Sequence, residues 1–482
     1  MSARWWPHAV AVALSLATAA AEPAAVGAEP VAAEASSGDA RGTPAATGLI
    51  LARQEPAAQP EHPAQRESEI VRSPDAAPPP PPQTGLLETA FPRLREGMST
   101  LPPFFRDTDL NVRFRTFYFN RQNDDDTALE AWAAGGWIQY ASGWLLDTFA
   151  IGSTYYTSLP LYAPDDRAGS LLLTPGQDAI GVFGEAWAAL RYQDYALLRG
   201  GRQRIDDGYV NSQDNRMIPN TFEALTLSGT LDWVRYDVGY LWNIKPRDSN
   251  DFISMSRQAG AGGDDEGLIL TSLAFTPIKD LLIYAGNYYA VDVFNTTFVK
   301  GEYTHTISKD LKLQFGLQFT DQRGVGDERL GDFTTWNVGA GSRLLWRGLS
   351  LGVATHFTGD EASIRSPWGS WPGYLSLMVT DFDRANEKAF GAGLKYDFGG
   401  TLLPFQLPGL TVHLLYAMGT DRIDPATDNG QPNTHEGNLD IVYNVQAVKG
   451  LSVRFRNAYV GRGNGEVLKD FRIIVNYELD LL

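Results

Sequence analysis

From Asp109 onward the chain is a succession of segments of about ten residues in which apolar and polar side chains alternate with a period of two. Leu311, Leu313, Phe315, Leu317 and Phe319 share one parity, while Lys312, Gln314, Gln318 and Thr320 hold the other. The ends of the series repeat this. Leu110, Val112, Phe114 and Tyr118 oppose Asn111, Arg113 and Arg115. Near the C-terminus Phe471, Ile473, Val475, Tyr477 and Leu479 alternate with Arg472, Ile474, Asn476, Glu478 and Asp480. Successive side chains of a strand point to opposite faces, so the pattern predicts strands with one greasy and one wet face.

Segments begin near 109, 128, 144, 183, 195, 222, 233, 266, 281, 296, 311, 333, 349, 387, 410, 436, 451 and 468, which predicts eighteen strands. Their connections alternate in length. Short ones carry Ser142-Gly143, Asp194, Asp232, Lys279-Asp280, Ser308 to Asp310, Arg347-Gly348 and Lys449-Gly450. Long ones, rich in Asp, Gly, Asn and Pro, run near 159–182, 205–221, 245–265, 321–332, 359–386 and 420–435. An even strand number lets both ends of a closed barrel lie on one side of a membrane. A soluble sandwich or propeller would put its apolar faces together and its charges outside. Here the charged parity is too crowded to form a dry core, so the predicted arrangement is inverted, with lipid outside and water inside.

Composition sharpens this all-β reading. The 482 residues include no cysteine, which removes disulfides, thiolate metal sites and cysteine nucleophiles. A net charge of −17 gives no support to nucleic-acid binding. Arg4, the apolar stretch Ala9 to Ala17 and the small residues Ala19 and Ala21 read as a secretory signal spanning 1–21. No later run is long and apolar enough for a spanning helix. Residues 22–100 are rich in Ala, Pro and Glu, with Pro78 to Pro82 consecutive. That composition predicts a disordered tether rather than a packed domain. The barrel is expected over 101–482, in the outer membrane of a Gram-negative cell.

If the apolar parity meets lipid, the other parity lines a bore. Its basic members are Arg113, Arg115, Arg191, Arg235, Lys312, Arg343, Lys395, Arg454, Arg456 and Arg472. Gly200-Gly201 breaks the parity beside Arg199 and Arg202, one of which joins the set, with Arg202 taken as the candidate. Fewer acids share the bore: Glu185, Asp237, Asp397, Asp440 and Glu478. Recurrent Arg and Lys along a pore wall favour anions and carboxylates. The stretch Arg202 to Phe222 carries Asp206, Asp207 and Asp214, which are expected to fold inward opposite the basic wall and orient anionic or zwitterionic solutes at a constriction.

Gly201-Arg202-Gln203 followed by Val210 to Ala224 (VNSQDNRMIPNTFEA) resembles the OprD-type family of substrate-specific outer-membrane porins. Gly135-Gly136-Trp137, Tyr140 to Gly143 and the closing Phe471 to Tyr477 extend the likeness over nearly the whole chain beyond about residue 100. The resemblance implies an eighteen-stranded monomeric barrel, narrowed by its third and seventh extracellular loops, here 205–221 and 359–386. It also implies a basic ladder facing an acidic patch and passive uptake of small carboxylate-bearing solutes. The chain departs from the family in ending on Leu482 rather than an aromatic residue, and in carrying the stretch 22–100, which reads as a spacer toward the cell wall.

Other readings are weaker. An eighteen-stranded, arginine-lined barrel also suits a polysaccharide exporter. A lipid hydrolase would need a nucleophile or activated water beside a base; His356 with Asp360 or Glu361, and His435 with Glu436, are the nearest candidates, and neither has a third group. Neither catalytic nor metal-ligating residues are assigned, and no cofactor is expected. The glycine pairs Gly339, Gly341 and Gly391, Gly393 lie within strands and lack the helix a phosphate loop needs. Lipid-facing aromatics serve a monomer and a trimer interface alike.

Overall fold

The alternating segments close into a barrel in the computed structural model, which describes residues 97–482 apart from Asp124 and Asp126. The expected signal and nearly all of the expected tether lie outside the described residues. The barrel strands are β1 (Asp109–Gln122), β2 (Ala128–Ala141), β3 (Phe149–Tyr162), β4 (Ile180–Tyr192), β5 (Ala196–Gln203) and β6 (Thr221–Leu231). There follow β7 (Val234–Lys245), β8 (Leu268–Ile278), β9 (Leu281–Ala290), β10 (Phe294–Ser308), β11 (Leu311–Gly324) and β12 (Thr334–Trp346). The last are β13 (Leu349–Thr358), β14 (Lys388–Asp397), β15 (Leu410–Thr420), β16 (Thr434–Asn444), β17 (Leu451–Arg462) and β18 (Val467–Asp480). Neighbours pair antiparallel, and β1 is bonded to β2 on one side and to β18 on the other, which removes the free edges of the sheet.

The largest departure from the expected starts is at β3. Trp144 and Leu145 continue the apolar rhythm, yet Leu146 and Asp147 have φ of 50° and 59°, and this left-handed pair turns the chain before the strand begins at Phe149. Elsewhere the short turns follow their residues. Asp232 and Asp280 take φ of 62° and 65°, a region aspartate tolerates. At Gly348 φ is 92° and a Cβ would meet the Asp397 carbonyl at 2.7 Å, so only glycine fits.

Both ends of the barrel chain lie with the short turns, where the Leu481 N–H donates to the Leu110 carbonyl. The opposite end carries the long loops, named here L2 (163–179), L3 (204–220), L4 (246–267), L6 (325–333), L7 (359–387) and L8 (421–433). The outer face is apolar, with Phe114, Leu317 and Val353 each more than half exposed outside the bilayer environment. Exposed Tyr192, Tyr195 and Trp233 mark one rim of this band and Trp132, Trp242 and Trp336 the other, as aromatic girdles do at membrane interfaces.

The inner face is only partly wet, contrary to the simple expectation. On β1, Phe117 and Phe119 share the parity of Arg113 and Arg115, and both are buried under loops. Leu172 and Leu173 of L2 and Met217 and Ile218 of L3 pack there with Trp137 and Tyr156. Tyr209 and Val210 of L3, Met255 of L4, and Ile364, Trp368 and Trp371 of L7 pack on Phe222, Leu241, Phe294 and Phe298. Leu375, Leu377 and Phe382 of L7 cover Ala354, Ala389, Leu415 and Ala417. Each fully buried Leu or Met contributes about 1.5–3 kcal/mol, so these loops are held inside the bore by their own apolar side chains.

Candidate functional site

Strand pairing builds a basic wall from β14 round to β1. Lys395 lies opposite His413, His413 opposite Asp440, Asp440 opposite Arg456, and Arg456 opposite Arg472. One row thus collects side chains from β14, β15, β16, β17 and β18 on the inner face, where cross-strand neighbours interact directly. Asp440 accepts from Arg454 Nε at 2.8 Å and lies 3.2 Å from Arg456 Nε, so one carboxylate serves two guanidiniums. Asp470, likewise shared, lies 2.7 Å from both Arg472 and Arg121. Arg454 keeps a quarter of its side chain exposed, whereas Arg456 and Arg472 are buried.

On β1 the arginines grip a loop. Arg115 Nη1 lies 2.7 Å from Asp214 of L3 and also donates to the Arg216 carbonyl at 2.5 Å, while its Nε donates to Asn476 at 2.7 Å. Arg113 pairs with Glu478, lies 3.6 Å from Asp214, and stacks over Trp137 at 4.3 Å. Burial would push the Asp214 carboxyl up, but Arg115, Arg113 and Arg204 outweigh it and hold the group below its usual range.

L3 reaches from this wall across the bore. Asp207 accepts from Ser272 at 2.5 Å, from Tyr288 at 3.0 Å and from Tyr284. Tyr209 is bonded to Thr320 of β11 at 2.8 Å and accepts from Trp371 of L7 at 3.1 Å. Asn211 donates to the Ser370 carbonyl of L7 at 2.8 Å. L7 is itself pinned to β16, where Glu436 accepts from the N–H groups of Val379 and Thr380 at 2.9 and 2.7 Å.

The expected site residues therefore divide. Arg113, Arg115, Lys395, Arg454, Arg456 and Arg472 come together in one arc. Lys312 and Arg343 share the inward parity of β11 and β12 nearer the short turns, with Arg343 donating to Gln314 at 2.7 Å. Arg235 pairs with Asp237 at 3.1 Å on β7. Arg191 is bonded to Asp147 in a short turn and lies at the rim. Arg202 is a correction: it lies opposite Glu223, between the inward Phe222 and Ala224, so both point outward, and they pair at 3.0 Å. The alternation runs unbroken through Gly200-Gly201, since β5 keeps its register with both β4 and β6, so Arg199, stacked over Trp187 at 4.9 Å, is the inward member together with Gln203.

The three acids do not form one patch. Asp206 keeps half its side chain exposed, Asp207 is caged by two tyrosines and a serine, and Asp214 sits on the basic wall rather than opposite it. Loop contacts are tertiary, and no strand parity assigns them. Arg121 and Lys300 were legible, since continuing the parity of β1 and β10 reaches them. Arg204, Arg216 and Arg247 lie in loops where no such signal exists. His356 is bonded to Asn337 at 2.9 Å and enclosed by Trp371 and Tyr374; neither Asp360 nor Glu361 is among its partners. Among the described residues no cluster of three or more His, Asp or Glu is arranged to hold a metal.

The family model for OprD, described as outer membrane porin, OprD family, matches residues 102–481. Solved structures share the fold. OccK9 (OpdG) of Pseudomonas aeruginosa is 22% identical with a TM-score of 0.71, covering 79% of this chain and 100% of its own. OccAB3 of Acinetobacter baumannii is 19% identical with a TM-score of 0.71, covering 78% and 99%. OpdK of Pseudomonas aeruginosa, solved with vanillate, is 20% identical with a TM-score of 0.69, covering 78% and 100%. No curated protein matches the chain.

Proposed function

The chain belongs to the OprD family of substrate-specific outer-membrane porins, and from that premise we propose that it gives passive, partly selective passage to small carboxylate-bearing or zwitterionic solutes. The observation that carries this is the register row Lys395, His413, Asp440, Arg456 and Arg472, with Arg454 beside it. A carboxylate entering past L3 and L7 meets guanidiniums spaced by the sheet itself, and each hand-over replaces one charge-assisted bond with another. Asp440 keeps the wall from binding too tightly, since it occupies both Arg454 and Arg456, which a solute must compete for. Passage requires attraction strong enough to admit and weak enough to release.

L3 and L7 set the constriction in this reading, because both are packed inward and bonded to each other. The presence of vanillate in OpdK, a structure of the same fold, is consistent with an aromatic carboxylate as one solute. We place the secretory signal at 1–21 and a tether toward the cell wall at 22–100, ahead of the barrel. The polysaccharide exporter and the lipid hydrolase find no support in the comparisons. Planar-bilayer recordings test the wall: Arg454→Gln with Arg456→Gln is expected to move the reversal potential toward cations, and an unchanged potential would refute it.

A further inference from the structure

Three arginines gather round one ring beneath L3, and a fourth is linked to them. The guanidinium carbons of Arg121, Arg216 and Arg472 lie 5.5, 5.2 and 5.1 Å from the centroid of Phe119. Arg247 of L4 joins them through Asn215, whose side-chain oxygen accepts from both Arg247 and Arg216. All four are buried. The carboxylate in direct contact is Asp470, already shared by Arg121 and Arg472. Asp248, Glu436 and Asp381 act only from a distance. Among the described residues, neither Arg216 nor Arg247 has an ion pair. Arg216 donates instead to the Ser170 and Asn215 carbonyls, both at 2.9 Å. Nη2 of Arg247 and Nη1 of Arg472 are buried and reach no acceptor.

Guanidinium keeps its charge throughout the physiological range, and burying it without a counter-charge is strongly unfavourable. Four such groups against one adjacent carboxylate call for a further anion. Planar forks with free Nη donors match oxygen anions that accept two parallel bonds. We propose that Arg121, Arg216, Arg247 and Arg472 enclose a resident tetrahedral oxyanion, of the phosphate or sulfate class, which ties L3 and L4 to the barrel wall. The site shares Arg472 with the register row but lies apart from the exposed stretch at Arg454. Arg216 covers it from L3, and the carbonyl of Met378 in L7 accepts from Arg472 at 3.4 Å. The anion is therefore a structural part of the closed loops and does not depend on which solute is carried.

The full-length protein in detergent, freed of oxyanions in chloride buffer, is titrated with inorganic phosphate at constant ionic strength while its heat-induced unfolding is followed. A saturable rise of about 3–5 °C in the midpoint is expected. Arg216→Gln and Arg247→Gln should lose that rise, yet be no less stable than wild type without phosphate, because each removes an unbalanced charge. A linear rise shared by all three proteins is general salting-out and overturns the proposal, as does no rise. If neither variant folds, crystals of the wild type grown in selenate decide: an anomalous selenium peak between Arg216 and Arg247 supports the site, and its absence overturns it.

Discussion

Replacing Asp214 with Asn keeps the shape of the side chain and removes the charge that Arg115 holds at 2.7 Å, both partners being 7% exposed. Breaking a buried pair from one side costs about 3–5 kcal/mol, mostly because the remaining charge is left uncompensated. The lower end, about 3 kcal/mol, applies here. Arg113 retains Glu478, and Arg115 retains Asn476 and the Arg216 carbonyl. Against this loss stand Met217 and Ile218, fully buried and worth about 1.5–3 kcal/mol each. The loop should therefore stay mostly docked, but its undocked population should rise about 100-fold, at 1.4 kcal/mol per decade. Single-channel recordings of Asp214→Asn are expected to show brief upward conductance steps that wild type lacks, and limited proteolysis should cut within 205–221. Traces as quiet as wild type, with L3 equally resistant, would refute the claim that this pair fastens the loop.

Two further outcomes follow from L7 and the outer face. Burial pushes the Glu387 carboxyl up to about 7, against the opposing pull of the Arg384 N–H and Arg422 and with Asp383 adding to the rise. A folded value above the ordinary 4.5 means that the contribution to L7 docking is full below about 4.5 and is lost as pH rises through about 7. Recordings should be quieter at pH 5 than at pH 8, with Glu387→Gln quiet at both; equal noise in wild type at the two pH values would contradict this. Phe315→Arg places a charge on the lipid face and should cost about 2–4 kcal/mol near the midplane. Thr304→Arg, half-buried on the inner face of the neighbouring β10 opposite Gln314, should cost much less, and folded yield after reconstitution compares them. Equal losses would mean that the two faces are not lipid and water.

Much of the site lay within reach of parity. Arg454, Arg456 and Arg472 occupy the wet positions of strands whose opposite face is Val453, Phe455, Phe471 and Ile473, so their direction follows from the alternation alone. Parity also holds across Gly200-Gly201, where a break was expected: β5 keeps its register with both neighbours, so Arg199 faces the bore and Arg202, three residues on, faces outward. It fails altogether in loops, which explains why Asp207 is caged by tyrosines from β9 and why Asp214 lies on the wall it was expected to face.

Strand number, closure, the lipid-facing side and most of the basic wall were determined by local regularity, since a period of two and short turns are properties of neighbouring residues. What filled the bore was decided only in three dimensions. The apolar side chains of L3, L4 and L7 have no periodic neighbours, and they bury themselves against Phe117, Phe119, Phe294 and Phe298 only once the closed barrel supplies an inner surface. The same closure brings β18 beside β1, so that Asp470 and Arg121, far apart along the chain, share one ion pair.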